Sequence, residues 1–235
     1  MSQEQDSSSG GVAAVDRAIA ILRTVARESS PITLADLARS TGYYKSTLLR
    51  LLASLERSAL VIRREDGRYA LGSYSHELGR AYEATYRVSS VLKPILAELV
   101  EQGSESASFH AYHDQENRIC LLRVDSHHST LDHINAGDLL PIKRGAAGRL
   151  ITTFRGTGLT PTKANILAIS LGERDPNCAA VAVAVFGTDN ECLGAISLSG
   201  PKERFTDSSI EQQSKMILDA AQRATELLGG RWPAR

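Results

Sequence analysis

The sequence predicts an α+β protein of two domains, in which a winged helix-turn-helix precedes an antiparallel sheet with helices. Residues 31–72 combine two short amphipathic helical patterns, separated by a glycine, with a basic hairpin pattern. From about residue 106, strand-like runs alternate with turn signals, and a helical pattern closes the chain. A chain of 235 residues with 42% apolar residues is long enough for two such domains.

The N-terminal part contains a polar tail and one amphipathic helix. Residues 1–11 are rich in serine, glycine, glutamine and acidic residues, and we expect them to be disordered because they cannot form a core. Helical spacing then separates four apolar residues, Val15, Ile19, Leu22 and Val25. This helix is predicted to pack behind the next two helices and to complete the core of a domain spanning residues 12–73.

Two short helices with a glycine between them form the predicted helix-turn-helix. Ala38 is small enough for two helices to cross closely, and Gly42 can take the positive φ that ends the first helix. The second helix has an apolar stripe at i, i+3, i+4 and i+7, which consists of Leu48, Leu51, Leu52 and Leu55. These leucines are expected to hold the second helix against the first.

The face of the second helix opposite the leucine stripe is polar and basic. It carries Lys45, Ser46, Thr47, Arg50 and Ser54. Lys45 stands at the helix start, where free backbone N–H groups and the helix dipole favour phosphate. A major groove admits one helix, and arginine makes bidentate contacts to guanine. We therefore predict that this helix contacts double-stranded DNA and that Arg50 reads a base.

A basic hairpin follows the second helix. Residues 60–64 and 68–71 are strand-like, and Asp66-Gly67 is a turn signal between them. The predicted DNA-binding side chains of the hairpin are Arg63, Arg64 and Arg68. Residues 12–73 contain ten lysine and arginine residues against six aspartate and glutamate residues, a net charge of +4 in a formally neutral chain. The alternative is a winged helix that binds a protein, with the basic residues merely solvating a face.

A linker helix is predicted at residues 74–88, and residues 89–235 form the second domain. Its first helical stretch, 91–101, has Pro94 near the start. The predicted strands are 106–113, 118–125, 130–135, 166–171, 179–186 and 193–199, and a helix is predicted at 145–154. The last helix runs from about Ser208, where Glu211 completes a capping box, to Leu228.

Composition and motifs argue against a membrane protein and against an enzyme. No stretch approaches the roughly 18 to 20 apolar residues that span a bilayer, so a cytoplasmic protein is expected. Cys120, Cys178 and Cys192 show no CxxC spacing and are interpreted as reduced core cysteines. The sequence has no G-x-S-x-G elbow, and no cofactor is expected.

The histidines are the best candidates for a metal site: His110, His113, His127, His128 and His133. His110 and His113 are three residues apart in a predicted strand, so they project to opposite faces and cannot share a metal. Combinations across the sheet, such as His113 with His127 or His133, stay open. Surface or satisfied core histidines are the favoured interpretation, and no metal is expected.

Five segments together resemble the IclR family of bacterial transcriptional regulators. They are VDRAIAILRTV at 15–25, KSTLLRLLASLE at 45–56, GRYALG at 67–72, LPIKRGAAGRLI at 140–151 and VFGTDNECLGAISLSGP at 185–201. The resemblance spans nearly the whole chain after the tail. It implies a winged-helix domain, a linker helix and a GAF-like effector-binding domain, assembled as dimers or dimers of dimers on palindromic operators.

The resemblance also implies a small-molecule site in the second domain. Carried over residue by residue, this site comprises Gly145, Ala146, Ser170, Ala180, Ser197 and Ser199. A Gly-Ala-Ala-Gly helix start presents unpaired backbone N–H groups, and Ser197 and Ser199 point to the same face of a strand. Such a site suits a small organic acid. The alternative, from the residues alone, is that glycine and alanine here permit close helix packing.

The chain departs from the family pattern at three places. Only residues 155–163 connect the site helix to the next strand, Ala180 has no polar side-chain atom, and Tyr43 and Tyr44 replace a Leu-Pro pair. Two hypotheses follow. Either a bound acid modulates the affinity of a regulator for DNA, or the shortened second domain only oligomerises or binds a protein and leaves a constitutive DNA-binding regulator.

Overall fold

The protein consists of two compact units. The computed structural model describes residues 11–126 and 134–233, and the chain divides into the units Met1–Thr85 and Tyr86–Arg235. Apart from Gly11, the tail that was predicted to be disordered lies outside the described residues. Each unit has a hydrophobic core of its own.

Three helices build the core of the first unit: α1 (Ala13–Arg27), α2 (Leu34–Thr41) and α3 (Lys45–Arg57). Fully buried residues of all three helices belong to one cluster, among them Ile21, Leu37, Leu48 and Leu52. Burying one such side chain contributes about 1.5 to 3 kcal/mol, so this cluster holds the helices together. The predicted leucine stripe is confirmed, although Leu51 is only partly buried.

Local sequence signals fix both ends of α2. Thr33 is the N-cap, and its Oγ1 accepts the backbone N–H of Asp36 at 3.1 Å. At the other end, Gly42 has a φ of 71°, and its N–H donates to the carbonyl of Ala38. The predicted role of Gly42 in ending this helix is therefore confirmed.

A hairpin and a fourth helix complete the first unit. β1 (Val61–Arg63) and β2 (Tyr69–Leu71) pair antiparallel, and both are shorter than predicted. Ile32 forms an isolated bridge with Tyr69, which attaches the hairpin to the start of α2. α4 (Ser73–Tyr86) follows the hairpin.

Within residues 86–126 and 134–233, the second unit contains three helices and a six-stranded antiparallel sheet. In chain order the elements are α5 (Val88–Glu101), β3 (Ser106–Tyr112), β4 (Asn117–Asp125), β5 (Leu139–Pro141), α6 (Ala146–Phe154), β6 (Leu167–Leu171), β7 (Cys178–Phe186), β8 (Cys192–Pro201) and α7 (Asp207–Leu227). The strand order is β5-β4-β3-β8-β7-β6. The predicted α+β class is therefore observed.

The centre of this sheet is buried between helices. Every residue of β7 except Ala180 is buried, as expected for a strand whose sequence, CAAVAVAVF, is a continuous apolar run. α6 packs against β6, β7 and β8, α7 packs against β7 and β8, and α5 packs against β3 and β4. Phe154 of α6 meets Phe186 of β7 edge to face, with ring centroids 5.2 Å apart.

The predicted strand at 130–135 was wrong in its described part. Ile134 and Asn135 are not in a strand, and residues 130–133 lie outside the described residues. The edge strand β5 lies further along the chain and pairs with the start of β4. Sequence reasoning missed β5 because a three-residue strand that ends in a proline has no periodicity to detect.

Two helix starts also differ from the sequence predictions. Thr206, and not Ser208, is the N-cap of α7, because its Oγ1 accepts the N–H of Ser209 at 3.3 Å. Glu211 pairs with Lys215 instead of completing a capping box. α5 begins three residues earlier than predicted, so Pro94 lies in its second turn rather than near its start.

The cysteines are free thiols, which agrees with their interpretation as reduced core residues. Cys120 and Cys178 are buried, and Cys192 is partly buried. Burial raises the pKa of the Cys192 thiol to about 11, so this thiol stays protonated at neutral pH.

Candidate functional site

The polar face of α3 is exposed, as a DNA-binding surface requires. Its helix begins after Tyr44, whose backbone is extended, with Lys45 as the first helical residue. Four of the predicted DNA-binding residues of this helix are exposed: Lys45, Ser46, Arg50 and Ser54. The fifth, Thr47, is partly buried. No acidic residue lies in the first turn, so nothing there opposes the phosphate-favouring helix dipole.

The basic residues of the hairpin differ in their surroundings. Arg63 and Arg64 are exposed, and the Arg63 guanidinium lies 6.0 Å from the centre of the Tyr69 ring. Arg68 is exposed too, but its Nε lies 3.5 Å from a carboxylate oxygen of Asp66 and it donates to the carbonyl of Pro31. Arg63 and Arg64 therefore present more positive charge to a phosphate than Arg68 does.

Tyr44 is a further exposed residue at this surface, and sequence reasoning gave it no role. It occupies the N-cap position of α3 and is 85% exposed. An exposed tyrosine beside Lys45 can offer its hydroxyl to a phosphate oxygen. The sequence does contain one indication of Tyr44, because positions 43 and 44 depart from the Leu-Pro pair of the family.

The register of the second unit aligns three of the predicted effector residues. Ser170 of β6 pairs with Ala180 of β7, and Ala180 pairs with Ser199 of β8. Residues that pair in register on neighbouring strands share a face of the sheet, so these three form one row. Ser197 lies two residues before Ser199 and therefore faces the same side.

The start of α6 lies against this row. Gly145 is the N-cap with a φ of 81°, and the helix approaches the preceding chain so closely that a Cβ on Gly148 would lie 2.1 Å from the carbonyl oxygen of Ile142. A cavity of about 40 Å³, hereafter the α6 cavity, is lined by all of the predicted effector residues: Gly145, Ala146, Ser170, Ala180, Ser197 and Ser199.

Charged residues that sequence reasoning missed also line the α6 cavity. Arg118 of β4 is 4% exposed and donates to the carbonyls of Pro141 and Arg144. Arg174 and Asp175 follow β6. Two guanidinium groups and a helix N-terminus against one carboxylate favour an anionic ligand. No sequence pattern indicates Arg118 or Arg174, because only the strand order brings them to the start of α6.

Glu173 binds two groups in the first turns of α6. Its Oε2 accepts the backbone N–H of Gly145 at 3.1 Å, and its Oε1 forms an ion pair with Arg149. One amide that was predicted for a ligand is therefore already used by a protein carboxylate. The N–H groups of Ala146 and Ala147 belong to the first turn and have no intrahelical acceptor.

Neither a metal site nor a membrane-spanning helix is present in the described residues. Among the described residues, no group of three or more histidine, cysteine, aspartate or glutamate residues is placed to hold a metal ion. His113 lies 3.8 Å from Asp114, and His127, His128 and His133 lie outside the described residues. No helix in the described ranges combines the length and the apolar character needed to cross a membrane.

Both units match models of one protein family. Residues 14–64 match the IclR helix-turn-helix domain, and residues 156–225 match the C-terminal domain of the bacterial transcriptional regulator IclR. The first match contains all of α3. The second contains Ser170, Ala180, Ser197 and Ser199, whereas Gly145 and Ala146 precede it. Together the two matches cover about half of the chain.

Whole proteins of the same kind are similar over nearly the full length. The transcriptional repressor IclR of Escherichia coli K12 is 22% identical over 251 residues, which cover 94% of this chain and 92% of the repressor. An IclR transcriptional regulator from Silicibacter sp. TM1040 has a TM-score of 0.76 at 24% identity and covers 94% of this chain and 98% of that chain. An IclR homologue from Microbacterium hydrocarbonoxydans, complexed with 4-hydroxybenzoate, has a TM-score of 0.75 at 16% identity and covers 92% of this chain and 98% of that chain. At these identities, the two solved structures establish the fold alone.

Proposed function

Because the chain belongs to the IclR family of bacterial transcriptional regulators, we propose that a small carboxylate in the α6 cavity modulates its affinity for a palindromic operator. In this proposal, residues 12–73 bind DNA, α4 (Ser73–Tyr86) serves as the linker helix that was predicted at 74–88, and residues 89–235 bind the effector. The protein is thus a DNA-binding transcriptional regulator, and the proposal concerns its operator and its effector.

The observation that carries the proposal is the convergence of residues on the α6 cavity. Residues from α6, β6, β7 and β8, which are remote in sequence, line one cavity together with Arg118 and Arg174. A core that only needed close packing would place apolar side chains there. A cavity lined by serine hydroxyls, guanidinium groups and helix N–H groups is suited to an acid.

The structural neighbour with a ligand supports the class of effector. The Microbacterium hydrocarbonoxydans homologue is complexed with 4-hydroxybenzoate, which is a carboxylate. The α6 cavity has a volume of about 40 Å³. One water needs roughly 10 to 15 Å³, so a cavity of this volume favours an effector smaller than a benzoate.

The DNA contacts are proposed from exposure and charge. Arg50 lies on the exposed face of α3 and is proposed to read a guanine, whereas Lys45 and Arg64 are proposed to contact phosphates. Ser46, Thr47, Ser54, Arg63 and Arg68 complete the proposed DNA-binding residues. Arg50→Ala should weaken operator binding by about 1 to 3 kcal/mol and relax the preference at one base position. An unchanged binding profile for this variant would remove Arg50 from the base-reading role.

Self-association is proposed through α1. Val15 is 53% exposed and Ile19 is 43% exposed, and they lie four residues apart on one face of α1, while Val12, just before the helix, is 66% exposed. An exposed apolar stripe on a helix is suited to a matching stripe on a second copy, and a two-fold axis explains a palindromic operator. Val15→Asp should convert dimers to monomers in light scattering while the circular dichroism spectrum stays unchanged. A dimer that survives this change argues for another interface.

A constitutive DNA-binding regulator is the second candidate, and the hydrogen bond between Gly145 and Glu173 favours it. An internal carboxylate already accepts the N–H of Gly145, so the site could be complete without a ligand. In this case the second unit only oligomerises or binds a protein partner. The short connection after α6, which was predicted at residues 155–163 and runs over residues 155–166 in the structure, agrees with this candidate.

One experiment separates the two candidates. Bound sites are first selected from genomic DNA fragments with the purified protein at physiological salt, and a shared inverted repeat defines the operator. Operator affinity is then measured by fluorescence anisotropy with and without millimolar small acids. A change in affinity supports the effector-modulated regulator, and the double variant Ser197→Ala, Ser199→Ala should lose that change while it still binds the operator. Constant affinity with every acid supports the constitutive regulator.

A further inference from the structure

One side chain that lines the α6 cavity has an unused hydrogen-bonding atom. His110 of β3 is 3% exposed, and its Nδ1 is buried without a hydrogen-bond partner among the described residues. Its other ring nitrogen, Nε2, lies 3.0 Å from the Oγ of Ser108. A buried polar atom without a partner costs free energy, so an unpartnered atom on a residue that lines a cavity indicates a place where a ligand or water can bind.

The neighbours of His110 indicate which nitrogen carries the proton. The Ser108 Oγ also lies 3.4 Å from the carbonyl oxygen of Ser197, and a carbonyl can only accept. Both contacts are hydrogen bonds at once only if Ser108 donates to Ser197 while Nε2–H of His110 donates to the Ser108 Oγ. This assignment from the network leaves a lone pair on Nδ1.

The charge around the ring agrees with this tautomer. Burial, and then the positive charges of Arg118, Arg123 and Arg174, lower the pKa of His110 well below its usual value, so the ring is neutral at pH 7. A neutral ring that is protonated on Nε2 can only accept at Nδ1. The group that binds there must therefore be a donor, which a carboxylate or a keto oxygen is not.

Other groups around the α6 cavity favour a negatively charged group on the ligand. The first-turn N–H groups of Ala146 and Ala147 and the guanidinium group of Arg174 favour a carboxylate. The cavity volume of about 40 Å³ corresponds to roughly three waters, so both groups must belong to one short molecule. We propose that the α6 cavity selects a short hydroxy acid, whose carboxylate meets the start of α6 and whose hydroxyl donates to Nδ1 of His110. This inference rests on the proposed effector function of the same cavity.

Three acids test the inference by calorimetric titration of the full-length protein. Lactate and propionate differ by one hydroxyl group, and pyruvate has an acceptor in place of that hydroxyl. We expect lactate to bind about tenfold more tightly than either of the other two, since one hydrogen bond to a buried acceptor is worth about that factor. His110→Phe keeps a ring but removes the acceptor, so lactate should lose its tenfold advantage and bind at the level of propionate to the same variant.

Ser108→Ala is a second variant that keeps the imidazole ring in place. Without the Ser108 hydroxyl, the network no longer fixes the proton on Nε2, and Nδ1 can carry the proton instead. The preference for lactate over pyruvate should then fall from about tenfold toward equality. If Ser108 had a purely structural role, the variant would bind all three acids more weakly and the ratios of their affinities would stay unchanged. That result would overturn the inference.

The outcomes distinguish the inference from the proposed function on which it rests. If the acids bind and shift operator affinity but lactate has no advantage, the hydroxy-acid inference is overturned and the effector-modulated regulator stands. A preference for pyruvate that His110→Phe removes would show that Nδ1 is a donor and would also overturn it. If none of the three acids binds at millimolar concentration, the hydroxy-acid inference is overturned, and operator affinity measured with other small acids decides the proposed effector function separately.

Discussion

The polar face of α3 and the α6 cavity are built in opposite ways. The α3 face takes its residues from one helix of 13 residues, and nearly all of them are exposed. The α6 cavity takes its residues from β3, β4, β6, β7, β8 and the start of α6, and most of them are buried. A surface of the first kind depends on one helix, whereas a cavity of the second kind depends on the register of a whole sheet.

The two regions also use positive charge differently. Arg50 is exposed on α3, where water and salt screen its field, so the contribution we propose for it comes from hydrogen bonds to a base and from release of counterions from DNA. Arg118 is 4% exposed, and its charge acts in a medium that screens much less. We therefore expect DNA binding to depend strongly on salt and binding of an acid in the cavity to depend on it weakly.

The largest expected effect comes from the core beneath the α3 face. Leu52→Ala removes a fully buried side chain and should destabilise the first unit by about 2 to 5 kcal/mol, because both transfer energy and packing are lost. Chemical denaturation followed by circular dichroism should show an earlier transition for the first unit. Leu49→Ala, a neighbour that is 47% exposed, is the matched control and should change stability little.

The same variant tests whether the two regions are independent. Leu52→Ala should lose operator binding and should still bind an acid in the α6 cavity by calorimetry. If acid binding is lost together with operator binding, the two units do not fold separately. The α3 face and the α6 cavity could then not be treated as independent regions.

The next effect concerns the α6 cavity. Gly148→Ala places a Cβ 2.1 Å from the carbonyl oxygen of Ile142 and 3.0 Å from Nη1 of Arg118, so α6 must shift. We expect a loss of about 1 to 3 kcal/mol in the second unit, and loss of acid binding in calorimetry. Gly79→Ala in α4 is the control, since no atom lies within 4 Å of its added Cβ and the helix should gain slight stability. Unchanged stability and acid binding for Gly148→Ala would contradict the close approach of α6.

The contrast between the two regions explains how far the sequence could predict them. In the first unit, the leucine stripe of α3, the turn at Gly42 and the hairpin are local, and their spacing alone indicates them. Residues of one helix that share a face are fixed by 3.6 residues per turn. The exposed polar face of α3, which we propose binds DNA, therefore follows from the sequence without knowledge of the tertiary fold.

The second unit could be predicted only in part. Its longer strands and its class follow from apolar runs and turn signals, and the residues of the proposed effector site follow from a family resemblance rather than from spacing. Arg118, Arg174 and His110 were missed because the strand order, which is not encoded locally, brings β4 and β3 to the start of α6. The sequence favours a surface or satisfied core histidine at His110, and its unpartnered Nδ1 distinguishes it from one.

A smaller effect is expected from the N-cap of α2, and it measures how much this local interaction stabilises the helix-turn-helix. Thr33→Ala removes the N-cap of α2 and should destabilise the first unit by about 1 kcal/mol at pH 7. Thr33→Ser keeps the hydroxyl and is the control. If Thr33→Ala melts at the same temperature as the unmodified protein, the cap contributes nothing.

The effect of Thr33→Ala should also depend on pH. The hydrogen bond from the Thr33 hydroxyl, and then the charge of Arg39, lower the pKa of Asp36 below its ordinary value of 3.8. A lowered pKa stabilises the folded state at pH values above 3.8, and this contribution is lost as the pH falls through the pKa of the folded state. The difference in stability between Thr33→Ala and the unmodified protein should therefore be constant from pH 7 to pH 5 and shrink below pH 4. A difference that grows on acidification would contradict the bond between Thr33 and Asp36.

The smallest effect concerns single phosphate contacts on the exposed face. Lys45→Ala and Arg64→Ala should each weaken binding to every DNA sequence and reduce the slope of log affinity against log salt by about 1, since each removes one contact that releases counterions. Lys93→Ala changes an exposed cation of the second unit and should leave the slope unchanged. Anisotropy titrations at several salt concentrations give the slopes, with the operator and an unrelated duplex as ligands. If Lys45→Ala changed base preference without changing the slope, Lys45 would be a base-reading residue, and the division of the α3 face into a phosphate-contacting start and a base-reading Arg50 would be wrong.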